Sequence, residues 1–245
     1  MKRLFLSITK GEEIRFLGHL DFLRTLERAV MRSGIPVAFS EGFNPHMRMA
    51  LDAALGVGVA ADPIYLELRM ADDAITAEEV AERLSPQLLK GISIHGAIEA
   101  QMEWPKLINW LDEDCYEAEG PVTGHVSAET VAAEMARFNS LSSFIYERVT
   151  PKKTRQMDVI PMLTAPVSAR IEGDRAYVRF SLVRSATGTV QPKDIWKLLA
   201  ESFQLPVTPG EFVCRRCGVY HREGDRRETP FDPGVFPDKQ EGKKK

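Results

Sequence analysis

A chain of 245 residues with 44% hydrophobic and 27% charged residues has the apolar material for one or two sizeable cores and too little bias for a fibrous or disordered protein. Its formal net charge of −3 excludes a protein that coats itself with nucleic acid through bulk charge, so contact with such a polymer has to come from local basic patches. No apolar run reaches 18 residues, the start MKRLFLSITKGEEIRF does not look like a signal peptide, and three cysteines make no secreted disulfide framework; these features predict a cytoplasmic protein with no membrane contact.

In chain order, Leu4, Leu6 and Ile8 alternate with polar or outward positions and predict a strand. HLDFLRTLERAVMRSG follows as a helix whose apolar stripe is Leu20, Leu23, Leu26 and Val30, ended by Gly34 and Pro36. VAFS and IYLELRM predict strands on either side of the segment SEGFNPHMRM. TAEEVAERL predicts a second helix with Thr76 and Glu79 spaced as a capping box, and GISIHGAIEA a closing strand. The order β-α-β-β-α-β places both helices on one face of a four-stranded antiparallel sheet, a ferredoxin-like plait. After QMEWPKLINWLDED, the order recurs in CYEAEG, SAETVAAEMARFN, SFIYERV, a hairpin turning at EGDR, PKDIWKLLAESF and EFVCRRCGVY. The expected class is therefore α+β with two ferredoxin-like domains: 1–100, a linker over 101–114, a second, decorated domain over 115–232, and a flexible tail over 233–245.

Several residues can carry chemistry. Gly42, Asn44 and Pro45 are turn formers, but His46 and Arg48 beside them are not needed for a turn. Arg24, Arg28 and Arg32 recur every four residues as a cationic ridge, which is either a solvated face or a grip for anionic oxygens. His19 and Asp21 stand at the helix entrance, where an acid also serves simply to start a helix. PKKTRQMDV reads as a second basic loop with Lys152, Lys153, Arg155 and Asp158. Cys214, Cys217 and His221 form C-x2-C-x3-H, half of a zinc site that lacks a clear fourth ligand, with Cys115, His125 and Asp225 as weaker candidates. Signatures of phosphate-binding loops, dinucleotide folds, zinc proteases, serine hydrolases and radical-type iron–sulfur clusters are all absent, so no cofactor of its own is expected beyond that zinc candidate.

The run IRFLGHLDFLRTLERAVMRSGIPVAFSEGFNPHMRM resembles the N-terminal signature of the bacterial radical SAM-linked protein family, a domain of unknown function. On that pattern His19, Asp21, Arg24, Glu27, Arg28, Gly42, Phe43, Asn44, Pro45 and His46 are the signature positions; Gly18 departs from the usual serine and Met47 from the usual proline, and the cysteine pair lies outside the pattern. The resemblance is close over about the first 70 residues. It implies a protein that works beside a cobalamin-binding radical SAM enzyme in RNA modification, and a layout similar to CRISPR RNA-processing and pseudouridine synthase folds.

These readings lead to an RNA-binding accessory protein, for tRNA or rRNA, without catalytic activity of its own and with no DNA partner. Its expected binding residues are His19, Asp21, Arg24, Arg28, Gly42, Phe43, Asn44, Pro45, His46, Arg48, Lys153 and Arg155. Arg3, Phe5, Tyr65, Arg69 and His95 are expected to project from the sheet face that the helices leave open. Two alternatives stand beside it: an endoribonuclease or base-modifying enzyme using His19, His46 or Asp158 as acid or base, and a structural partner that never touches RNA.

Overall fold

In the computed structural model, which describes residues 2–150, 153–185 and 188–236, the chain divides into two units. The first comprises residues up to Leu111 together with those from Val219 onward; the second runs from Asp112 to Gly218.

The first unit begins with β1 (Lys2–Lys10) and α1 (His19–Ser33), continues through β2 (Met49–Leu51), β3 (Val59–Met70), α2 (Ala77–Leu84) and β4 (Ile94–Ala100), and adds a single helical turn, α3 (Leu107–Trp110). β1 pairs antiparallel with both β3 and β4, and β2 pairs antiparallel with β3, giving the order β4-β1-β3-β2. Gly34 ends α1 in the left-handed conformation at φ 63°, as the sequence predicts, and Thr76 Oγ1 accepts from Glu79 N at 3.1 Å at the start of α2. The buried stripe of α1 keeps Leu26 and Val30 of the expected one, with Leu23 packed at its edge, but replaces Leu20. Phe22, Leu26, Ala29 and Val30 face the sheet, whereas Leu20 is 63% exposed. A ring at Phe22 fixes the rotation of the helix, because one buried aromatic outweighs a leucine at the frayed first turn. Those side chains meet Leu4, Leu6 and Ile8 of β1 and Ile64, Leu66 and Leu68 of β3 in one core.

The other face of this sheet is closed, which corrects the expectation of an open surface. Arg3, Phe5 and Tyr65 are 1%, 0% and 3% exposed. A second core covers them, built from Leu107, Leu111, Trp104 and Trp110 of the segment after β4 and from Val219, Phe231 and Phe236. Trp104 lies 6.2 Å from Phe5 between ring centroids, Phe231 stacks on Tyr65 at 5.7 Å, and Phe236 packs 4.6 Å from both Trp104 and Trp110. Residues 101–111 are therefore part of the first unit rather than a linker. The two tryptophans and two leucines give them an apolar face that water does not hold open. The expected tail starts too early by the same reasoning, since Phe236 is packed; residues 237–245 lie outside the described residues. Of the five residues expected on the open face, Arg69 is half-buried and His95 exposed.

Arg3 fastens this covering layer. Its guanidinium grips Glu67 through two nitrogens, at 3.1 and 3.0 Å, and donates to the carbonyls of Gln101, Trp104 and Pro105 at 3.1, 2.6 and 3.2 Å. A charged side chain survives full burial because every face of the fork finds an acceptor.

The second unit contains β5 (Glu113–Pro121), α4 (Ala128–Asn139), β6 (Ile145–Thr150), β7 (Lys153–Asp158), β8 (Ser168–Glu172), β9 (Arg175–Val183), α5 (Pro192–Ser202) and the first part of β10 (Val213–Glu223); the end of β10 pairs with β11 (Arg226–Glu228) in the first unit. β9 pairs antiparallel with β5 on one side and β8 on the other, and β10 is next to β5 in the strand order. β6 and β7 form a separate hairpin between α4 and β8. The expected basic loop at residues 151–159 is thus mostly a strand. With Lys153, Arg155 and Gln156 among its six residues it lacks the period-two apolar alternation that marks a half-buried strand. Phe138, Phe144 and Phe203 join α4 to the end of α5, and Trp196 is fully buried with its ring Nε1 donating to Thr208 O at 3.0 Å. Among the described residues, no helix is long and apolar enough to cross a membrane.

Candidate functional site

Between α1 and β2 the chain makes only isolated bridges, Val37 to Met70 and Phe39 to Met47. Two backbone bonds tie it to the end of β3, Ala38 N to Arg69 O at 2.8 Å and Arg69 N to Arg48 O at 3.0 Å, and a third, Arg48 N to Ala38 O at 2.8 Å, joins its own two arms. Residues 40–46 leave this anchor as a closed excursion. Ser40 N donates to His46 O at 2.8 Å and His46 N to Ser40 Oγ at 2.9 Å, so the two ends of the GFNPH stretch hold one another. Gly42 adopts φ 115°, which side-chain-bearing residues rarely adopt. The tip projects Phe43 wholly into solvent, at 106% relative exposure, with Asn44, Pro45 and His46 also exposed. An aromatic ring so placed contributes nothing to a core.

Arg48 connects this loop to a cleft. Its Nε donates to Phe39 O at 3.2 Å at the base of the excursion, and the same residue lines a cavity of about 410 Å³. Arg48 to Asp52, Glu67 and Arg69 line it from the paired strands β2 and β3 and their ends, and Lys106, Leu107 and Ile108 from the segment at α3. Both carboxylates in the lining are committed to the protein: Glu67 to Arg3, and Asp52, 1% exposed, to Tyr65 N at 2.9 Å. The cations are not. Among the described residues the terminal nitrogens of Arg48, the guanidinium of half-buried Arg69 and the ammonium of Lys106 meet no acceptor. Arg69 has lost part of its water without gaining a counter-charge, an arrangement that favours an anion in the cleft.

Among the described residues, Arg48 is the one expected binding residue that the structure brings into this cleft, where Arg69 of the expected open face joins it. His19, half-buried, and exposed Asp21 begin α1 behind Gly18, and the Asp21 carbonyl accepts from Thr25 Oγ1 at 2.8 Å. Lys10 fixes this entrance from below: its buried ammonium donates to Arg15 O at 3.1 Å and Leu17 O at 2.8 Å, and burial lowers its pKa. Arg24, exposed, stands 3.8 Å from Asp21; Arg28 is exposed; Arg32 donates to Gln87 O, so part of the ridge ties α1 to the turn after α2. In the second unit, Arg155 is exposed on β7, while the side chain of Lys153, like residues 151 and 152, lies outside the described residues. Asp158 is a structural acceptor: its Oδ1 takes Phe144 N at 2.9 Å and Ile160 N at 3.3 Å, and the bond from Phe144 is the main reason its pKa is lowered. A carboxylate so held favours the ionised state, which suits a turn better than proton transfer.

The zinc candidate does not assemble. β10 runs unbroken through Cys214, Cys217 and His221, so the expected knuckle at Gly218 is absent and the two thiols point to opposite faces of the strand. Cys214 is buried; burial, with help from Glu117, pushes the Cys217 thiol up to about 11, opposing the thiolate a metal requires. His221 packs against Trp110, ring centroids 4.8 Å apart, and Cys115 lies 3.0 Å from Ser181 Oγ. Among the described residues no group of three or more His, Cys, Asp or Glu side chains is placed to hold a metal.

The sequence does not mark Lys106 as a binding residue, and it marks Arg69 only as part of an open sheet face facing RNA. Lys106 falls in the supposed linker. The available signal was WPKLINW: two tryptophans and two aliphatics around one lysine describe a docked segment that presents a cation, not a spacer.

A model of the family DUF2344, described as an uncharacterized protein conserved in bacteria, matches residues 3–192. Among solved structures, a chain of a Cbf5-Nop10-Gar1 complex is similar at 8% identity with a TM-score of 0.48, over 87% of this chain and 48% of that one, so this protein spans about half its length. An unknown protein from Galdieria sulphuraria is similar at 14% identity with a TM-score of 0.25, over 75% and 82% of the two chains. Neither score reaches 0.5, and neither likeness defines an activity. No curated protein matches.

Proposed function

We propose that this chain, which belongs to the bacterial DUF2344 family, is an RNA-binding module built on two ferredoxin-like plaits and that it serves an RNA-modifying partner rather than acting alone. The observation that carries the reading is a set of three cations round one cleft, the terminal nitrogens of Arg48 and the side chains of Arg69 and Lys106, which meet no acceptor among the described residues, at the foot of a loop that holds Phe43 in solvent. Guanidinium forks suit phosphate oxygens, and an exposed ring accepts any base by stacking, so the pairing reads the chemistry of a single strand without reading its sequence. The overall charge of −3 agrees with a local site rather than a coating surface.

The test is a salt series of tRNA and rRNA binding to the protein and to the Arg48→Ala/Lys106→Ala variant. Removing two phosphate contacts is expected to flatten the slope of log K against log salt by about 1.4, taking about 0.7 per contact on single strands. Failure of the wild-type protein to retain RNA at low salt removes the reading.

The likeness of the HLD and GFNPH stretches to radical SAM-linked proteins supports a cobalamin-binding radical SAM enzyme as the partner. A tagged chain is expected to enrich that enzyme when captured from its own cells, with enrichment surviving ribonuclease. An eluate in which the enzyme is no more abundant than in a tag-only control counts against that partner and leaves RNA binding untouched.

A further inference from the structure

We infer that the cleft between β2–β3 and α3 takes a phosphomonoester at the end of an RNA strand, together with the nucleotide that carries it. The inference rests on the RNA reading and goes beyond it, since binding along a backbone does not require an end. Three features point to an end. First, the cations share one hollow. Arg48 and Arg69 are backbone neighbours, Arg69 N donating to Arg48 O, and Lys106 lines the same cavity from the segment at α3. A continuous strand carries one charge per phosphate spaced along its length and is matched by cations spread along a groove. Three cations around one hollow match a single group of charge near −2, which a phosphomonoester has and an internal phosphodiester lacks.

Second, the hollow has walls. Its volume of about 410 Å³ lies in the range of small-ligand sites, and the segment at α3 is held in place by the carbonyls that Arg3 binds at Gln101, Trp104 and Pro105, one residue before Lys106. Third, the lining changes character away from the charges. Ile108, 55% exposed, offers apolar surface beside the cations, as a terminal ribose and base require once the phosphate is fixed. Glu67 and Asp52 do not oppose the anion as free carboxylates, because each already accepts from the protein.

The experiment compares one short oligoribonucleotide in three forms, with a 5′-phosphate, with a 3′-phosphate and with hydroxyls at both ends, by fluorescence anisotropy, with adenosine 5′-monophosphate as a free competitor. One phosphorylated end is expected to bind at least about tenfold more tightly than the hydroxyl form, and whichever it is names the end recognised. That preference should vanish in Arg69→Ala and in Lys106→Ala; the second change, on an exposed residue, covers the case in which the first fails to fold. It should also shrink below about pH 6, where the monoester takes up its second proton while the arginines stay charged. Equal binding of all three forms overturns the end-recognition inference and leaves the RNA reading standing. Binding of adenosine monophosphate that needs Arg69, with no oligonucleotide bound, upholds the monoester site and overturns the RNA reading. No binding of any of these probes overturns both.

Discussion

Replacing Arg3 with alanine is expected to remove about 3–5 kcal/mol from the stability of the first unit, the cost of stripping one partner from a buried ion pair. Glu67, 8% exposed, would keep its charge with no guanidinium beside it, and the carbonyls of Gln101, Trp104 and Pro105 would lose their donor in a dry layer. Urea denaturation followed by tryptophan fluorescence measures the loss. An Arg3→Met/Glu67→Leu pair should lose much less, because it removes both charges and keeps apolar volume against Phe5, whose ring centroid lies 5.2 Å from the Arg3 guanidinium carbon. Arg3→Ala should also weaken RNA retention under conditions where it remains folded, since the wall bearing Lys106 loses its fastening. A loss under about 1 kcal/mol would mean that the covering layer is held by its aromatic rings alone.

How much of this was readable beforehand depended on whether a segment's role was local. The order of helices and strands follows from period and punctuation: Gly34 ends α1 and Thr76 opens α2 because those positions need a left-handed residue and a side-chain acceptor, and such needs are written in a few adjacent residues. The turn at GFNPH was legible for the same reason. The closed face of the first sheet was not. Tyr65, Glu67 and Arg69 look like the outward side of a half-buried strand until residues more than thirty positions away fold over them, and no local pattern announces that. Within the cleft, Arg48 could be picked out because it sits beside the turn signature. Arg69 could be picked out only as part of an open sheet face and Lys106 not at all, since what distinguishes them is the lack of an acceptor among the described residues, a property of the fold and not of the residue type. The C-x2-C spacing misled in the opposite direction: a strand separates its successive side chains, and only a turn unites them.

In the second unit the largest effect is expected from Asp114→Ala. Antiparallel register sets Asp114 of β5 opposite Leu182 of β9, and Arg184, two residues on, donates through its backbone to Asp112 O and through its fork to both Asp114 oxygens, at 3.0 and 2.7 Å. Arg216 of β10, 0% exposed, donates to the same Oδ1 at 3.1 Å. One carboxylate therefore pairs with two guanidinium groups, and Tyr116 beside them is kept neutral well above its usual range, first by burial and then by the charge of Asp114. Alanine at 114 withdraws one ion-pair partner from both arginines, and about 3–5 kcal/mol should be lost. Arg184→Ala should cost less, since Arg184 retains some solvent and its removal leaves Asp114 paired with Arg216. Of the three tryptophans only Trp196 belongs to the second unit, so unfolding of that unit can be followed alone in a Trp104→Phe/Trp110→Phe background. The expected order of midpoints in urea is background highest, Arg184→Ala intermediate and Asp114→Ala lowest. If Asp114→Ala matched the background, Arg216 would have to be neutralised by some other group, and the carboxylate could not be the hinge of this buried network.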